Sequence, residues 1–147
     1  MLTQIPNGLD EVIKTFGPTT EVPKHLVTFD LPYPLLYQGS AVHKATCHKL
    51  VVDNFVQAFK AIQDAQLEAL VLRYGGLYAN RVIRGGTTPS MHAFGIAIDL
   101  EPEKYPLGSD ARFPDAVIAV FHRFGFFYGG DFEGRKDPMH FELCRGC

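Results

Sequence analysis

Val52, Phe55, Val56, Phe59 and Ile62 recur at the three-to-four-residue spacing of one buried helical face. This stripe constrains the fold more than any other feature. It predicts a helix over residues 48–65, with Thr46 as its N-cap, that must lay its apolar side on a sheet or another helix. The available sheet material is short. Residues 69–74, closed by Gly75-Gly76, read as a central strand. Residues 95–100 carry β-branched side chains at alternate positions, and residues 126–128 and 139–143 complete the set of strands. A second amphipathic helix starts near Pro114, where proline suits the first turn and Asp115 complements the helix dipole. It turns Val117, Ile118, Phe121 and Phe124 inward and ends at Gly125.

The remaining segments are punctuation. A short helix opens at Asn7 and runs to Phe16, where Gly17-Pro18 stops it. Pro23, Pro32 and Pro34 make residues 19–40 mostly loop, with one extended piece over 26–29. Residues 80–89 and 102–112 are loops. Helices and strands do not alternate regularly, so the expected class is α+β, a small antiparallel sheet flanked by helices. The 147 residues suit a single catalytic domain, with a helix and loop-rich arm over 1–40 and a core over 41–147. An aromatic content of 12% excludes a disordered chain. A formal charge of -2 supplies no bulk attraction to nucleic acid or anionic membrane, and neither is expected as a partner. The longest clean apolar run, 116–121, is far below the ~20 residues of a spanning helix. The N-terminus lacks a basic head and an apolar stretch, so the expectation is a chain made in the cytoplasm without a signal peptide.

Residues 90–99, Ser-Met-His-Ala-Phe-Gly-Ile-Ala-Ile-Asp, carry the chemistry. Alternate side chains of a strand share a face, so Ile96 and Ile98 point to the core while Ala97 and Asp99 point away. His92 precedes the strand, Gly95 lets the backbone bend, and small Ala97 leaves space between His92 and Asp99. In residues 137–143 the same alternation buries Met139, Phe141 and Leu143 and puts His140 and Glu142 on the opposite face. If the strands of Asp99 and His140 are neighbours, His92, Asp99 and His140 form a two-histidine, one-carboxylate set with a fourth position open. That is the arrangement of a catalytic zinc site rather than a closed structural one. Asp137 lies across a proline from His140, where a carboxylate can take a proton from a zinc-activated water and return it to a leaving amine. The plainer reading makes His92 a polar turn residue and Asp99 a turn former.

The segment matches the S-x-H-x-x-G-x-A-x-D pattern of the M15 zinc peptidases at every fixed position, and Asp137 with His140-Phe141-Glu142 resembles that family's second signature. Residues 125–131 look like its glycine-rich lead-in, with Tyr128 where tryptophan is common. The likeness covers roughly residues 67–143 and is closest to small phage and bacterial L-alanyl-D-glutamate endopeptidases and D-alanyl-D-alanine carboxypeptidases. It implies a Hedgehog-like fold, one zinc ion and a peptidoglycan stem peptide as substrate. It makes His92, Asp99 and His140 the ligands and Asp137 the general base. Some relatives have Glu at the position of Asp137; the shorter Asp matches the endopeptidase-like branch. Ser90 would support the ligand loop and Glu142 would orient a ligand histidine. Relatives also place an arginine after the central strand. This chain departs there, and Arg81 or Arg84 would steady the scissile carbonyl or hold a substrate carboxylate, with Arg81 favoured.

The resulting expectation is a monomeric zinc peptidase, an L-alanyl-D-glutamate endopeptidase that reaches the cell wall after release, by phage lysis or with a virion. The rivals are a D-alanyl-D-alanine carboxypeptidase or dipeptidase, and a metal-stabilised binding domain without catalysis. Cys144 and Cys147 have the spacing of half a zinc site or a redox pair, but a tail position without a following helix favours free thiols. Cys47-His48 offers a second metal option, His43 and His48 take no assigned role, and His122 reads as a helix-boundary residue.

Overall fold

The computed structural model describes residues 1–147. α1 (Leu9–Phe16) buries Val12 and Phe16. The next segment differs from the expected loop. β1 (Leu26–Tyr37) is a long strand, paired antiparallel with β2 (Ser40–His48) in a two-stranded sheet. Its inward residues Phe29, Leu31, Tyr33 and Leu35 alternate strictly, so the period-two signal outweighed the prolines. The prolines are accommodated by a shift in register: Asp30 faces Lys44 and Leu35 faces Val42, so Leu31 to Pro34 lie opposite His43 alone. Pro32 and Pro34 therefore sit where the ladder is already broken and their missing N–H groups cost little. Gln38 and Gly39 close the hairpin, both with positive φ (49° and 81°), as a tight two-residue turn requires.

The helix start also moves. Thr46 lies inside β2, where its hydroxyl meets that of Thr28 at 3.0 Å. The turn into the helix is instead capped by His48, whose Nδ1 accepts from the Leu50 N–H at 3.2 Å. α2 (Val52–Asp64) follows a single 3-10 turn and buries Phe55, Ala58, Phe59 and Ile62.

The expected central strand at 69–74 is not one. Glu68–Leu70 forms a 3-10 turn, and the strand β3 (Tyr74–Gly76) is an edge of the second sheet. The backbone groups of Leu72 and Arg73 find partners outside a ladder. The Leu36 N–H donates to the Leu72 carbonyl at 2.8 Å, and the Glu101 carboxylate accepts from the N–H groups of Leu72 and Arg73.

β4 (Ala97–Leu100), α3 (Asp115–Arg123), β5 (Phe127–Tyr128) and β6 (His140–Glu142) complete the chain. The second sheet has the order β3-β4-β6-β5. The molecule is thus α+β with two small antiparallel sheets and three α-helices, where one sheet was expected. α3 packs on the second sheet, while α2 lies against β1 of the first, where Phe55 stacks on Phe29 and Phe59 meets Tyr33 edge-on. Phe121 stacks on Phe141 with ring centroids 4.3 Å apart, and Phe55 meets Phe126 edge-on at 5.0 Å. The arm and the later residues share a core: Val12, Phe16, Phe29 and Leu35 belong to the same buried cluster as Phe121 and Phe141. No helix is long and apolar enough to cross a membrane.

Candidate metal centre and active site

Sheet register assembles the site. In the β4–β6 pair, Ala97 faces Glu142, Ile98 faces Phe141 and Asp99 faces His140. Burying Ile98 and Phe141 on the core side forces Asp99, His140 and Glu142 onto the opposite face. His92 arrives from the 3-10 turn Met91–Phe94. Ser90 caps that turn, its Oγ accepting from the His92 N–H at 3.2 Å. Gly95 ends it at φ 69°, and a side chain there would press on the backbone N of His48, 2.8 Å from an added Cβ.

His92 Nδ1 donates to the Leu77 carbonyl at 2.6 Å. That bond turns Nε2 into the site, 3.2 Å from Asp99 Oδ2, buried and without a hydrogen-bond partner. His140 Nε2 donates to Glu142 Oε1 at 2.7 Å, and Nδ1 lies 3.0 Å from Asp99 Oδ1. One ligand atom each from His92, Asp99 and His140 falls within 4.8 Å of the others. Two imidazole nitrogens and one carboxylate oxygen, with an orphaned buried nitrogen among them, fit a zinc ion. Glu142 would then orient His140 from behind, and Ser90 would hold the turn that carries His92.

The charges are strongly coupled. Burial alone would raise the Asp99 pKa, but its contacts with His140 and His92 hold its carboxyl well below the usual carboxylate range. Burial would lower the His140 pKa; hydrogen bonds to Asp99 and Glu142 outweigh it and push it up to about 10. Asp137 Oδ2 lies 3.8 Å from His140 Nδ1. Burial, together with repulsion from Asp99, raises the Asp137 pKa, against the pull of His140, His92 and Arg84. Gly129 fixes this carboxylate's backbone, its carbonyl accepting from the Asp137 N–H at 2.9 Å. The Tyr128 hydroxyl donates to the Pro138 carbonyl at 2.8 Å, which gives the lead-in tyrosine a positioning role.

A cleft of about 270 Å³ opens over these groups, lined by His92, Asp99, Asp137, His140, Arg81 and Arg84 among others. Both arginines therefore stand on its wall. The Arg81 guanidinium donates to the Val82 carbonyl at 3.4 Å, whereas Arg84 is close enough to influence Asp137. Sequence reasoning missed Arg135, which lines the same cleft and donates to the Arg84 carbonyl at 2.6 Å. Its signal was a cation two residues before Asp137, between the glycine-rich segment and the second signature. It also missed the Leu77 carbonyl, for which a sequence carries no signal.

Residues 84–143 match a family model described as D-alanyl-D-alanine carboxypeptidase, of the M15 peptidases. The match supports an M15 family peptidase. It spans Ser90, His92, Asp99, Asp137, His140 and Glu142, and it includes Arg84 but not Arg81. No curated protein matches the chain. A peptidase of this family implies a peptide substrate.

The other sulfur and imidazole groups differ from expectation. Cys144 and Cys147 are joined in a disulfide rather than free. Cys47-His48 forms no metal site: the Cys47 S–H donates to the His48 carbonyl at 3.3 Å, and His48 Nε2 donates to the Phe16 carbonyl at 3.1 Å. With both ring nitrogens of His48 engaged, no lone pair remains for an ion.

Proposed function

We propose that the chain is a zinc-dependent peptidase that cleaves peptidoglycan stem peptides, as an L-alanyl-D-glutamate endopeptidase acting on the bacterial cell wall. The observation that carries the hydrolytic reading is the convergence of His92 Nε2, the Asp99 carboxylate and His140 Nδ1 beside a partly buried Asp137. His92, Asp99 and His140 would hold the ion, which when bound supplies Lewis acidity to the scissile carbonyl and to water. Asp137 accepts the proton of the attacking water and returns it to the leaving amine. Arg81 or Arg84 stabilises negative charge on the substrate from the cleft wall. Asp137 also weighs against a pure binding domain, which has no use for a base at that position.

A D-alanyl-D-alanine carboxypeptidase is the second reading. It is favoured by the description of the matching family model and by Arg81, Arg84 and Arg135, cleft arginines without ion-pair partners that suit a free terminal carboxylate. The deciding experiment is mass spectrometry of defined muropeptides digested by wild type and Asp137→Ala, with and without chelator. The expected products come from cleavage between L-alanine and D-glutamate, absent with Asp137→Ala and absent after chelation until zinc is restored. Release of terminal D-alanine would transfer the assignment to the carboxypeptidase. No cleavage by wild type at all would leave the binding domain.

A further inference from the structure

The C-terminal cysteine pair takes no part in the hydrolysis above, yet it is built against the same residues. Cys144 is 1% exposed and follows β6 by two residues, and Cys147 lines the catalytic cleft. Cys147 also lines the larger groove beside that cleft, about 1030 Å³, so the cysteine loop stands between the two hollows. A carboxylate oxygen of Glu142 and the two sulfurs lie within 4.8 Å of one another. Glu142 is 3% exposed. Its Oε1 is engaged by His140, but Oε2 is buried with no hydrogen-bond partner. A buried carboxylate oxygen left unpaired is costly, and its presence asks for a ligand.

We propose that reduction of the Cys144–Cys147 bond creates a second divalent-metal site, with the thiolates of Cys144 and Cys147 and Oε2 of Glu142 as its ligands. The reductant is a dithiol. It passes two electrons to the disulfide and becomes a disulfide itself, its two protons going to the freed sulfurs. Each sulfur gives up that proton when it ligates the ion. The C-x-x-C spacing lets both thiolates reach one centre, and two soft sulfurs select a zinc-like ion over calcium or magnesium. Glu142 would serve both centres, holding His140 through Oε1 and the second ion through Oε2. In the oxidised chain the sulfurs cannot ligate in this way, so occupancy of the second site reports the redox state.

The test is cobalt(II) titration of the full chain, oxidised and after dithiol reduction, followed by absorbance and by bound-metal analysis. The reduced chain is expected to take up one equivalent more than the oxidised chain and to show a sulfur-to-cobalt charge-transfer band. Cys144→Ser and Cys147→Ser should each abolish both signals, and Cys47→Ser should leave both. Glu142→Gln should weaken the additional uptake by about ten-fold or more. His92→Ala, which alters only the first ligand set, should keep the band, so failure of the hydrolytic site and failure of the sulfur site are read separately. Equal uptake in the two redox states, a band that survives Cys147→Ser, or unchanged affinity in Glu142→Gln would overturn the proposal.

Discussion

His140 Nε2 donates to Glu142 Oε1 at 2.7 Å, and this contact leaves Nδ1 as the nitrogen that faces Asp99. The two residues sit two positions apart on the same face of β6, so strand alternation itself supplies the orienting group. Removing the carboxylate frees the ring. Glu142→Ala is expected to lower zinc affinity by about 10–100-fold. Competition with a chromophoric chelator measures this, and circular dichroism checks that the fold persists. Wild-type affinity in a folded Glu142→Ala protein would show that the ring is held by β6 alone.

The metal-free site makes stability and metal affinity move in opposite directions with pH. The His140 value of about 10 lies above its ordinary 6.5, so its contribution to stability is full below pH 6.5 and is lost as pH rises through about 10. Asp99 is held below its ordinary 3.8, so its contribution is present above that value and is lost as pH falls toward the lowered one. With chelator present, thermal unfolding should therefore peak between about pH 4 and 6.5. Zinc requires His140 Nδ1 without its proton, so affinity should climb over the range where metal-free stability declines. Calorimetry at neutral pH in buffers of different ionisation heat should report about one proton released per ion. No proton release would mean that His140 is already neutral in the metal-free chain.

Arg81 and Arg84 can be separated by their electrostatic reach. Attraction from Arg84 is among the influences that lower the Asp137 pKa, while burial and Asp99 raise it. A base must be ionised to accept a proton, so activity should fall as pH drops through the raised Asp137 value. Arg84→Ala removes a stabilising charge and should move that acidic limb to higher pH. Arg81→Ala should leave the limb in place and raise KM. Identical pH profiles for the two variants would remove Arg84 from the neighbourhood of the base.

The sequence made the site easier to read than the frame that carries it. Alternation in two short strands, with Ala97 kept small, was enough to bring His92, Asp99 and His140 into one argument, because strand faces follow from position alone. The first sheet was hidden by Pro32 and Pro34, although Phe29, Leu31, Tyr33 and Leu35 kept strict period two beneath them. The helix start was set by an imidazole cap at His48, a residue type that a cap search does not favour. Residues 69–74 are apolar enough for a central strand, but the side chain of Glu101, far along the chain, takes the N–H groups of Leu72 and Arg73. Long-range side-chain-to-backbone bonds of this kind leave no local pattern.

Gly129 is the narrowest point of the base loop. A Cβ there would collide with the Asp137 carbonyl and come within 3.0 Å of His140 Cβ. The Asp137 carbonyl in turn accepts from the His140 N–H at 3.0 Å. Relief of the clash must displace Asp137, His140 or both. Gly129→Ala should destabilise the fold by about 1–3 kcal/mol and reduce hydrolysis far beyond what the lower stability explains. Denaturant unfolding and muropeptide turnover, measured on the same preparation, test both parts. Unimpaired turnover would show that the loop yields without moving Asp137.

Glu101 joins this frame to the candidate metal centre. It is 3% exposed, takes a positive φ of 51°, and satisfies the backbone N–H groups of Leu72 and Arg73. Its own N–H donates to the Arg73 carbonyl at 2.8 Å, so the 72–73 segment is clamped from two sides. Four residues further on, the Leu77 carbonyl holds His92 Nδ1. Glu101→Ala strips two part-buried donors of their acceptor, each costing up to about 1 kcal/mol when water replaces it only in part. It should also loosen the carbonyl that fixes the His92 ring, so zinc affinity should fall together with stability. Glu101→Gln keeps one carbonyl acceptor and should lie between wild type and Glu101→Ala on both scales. If both variants lose stability while their zinc affinity stays at the wild-type level, the 72–77 segment is a structural clamp with no purchase on His92.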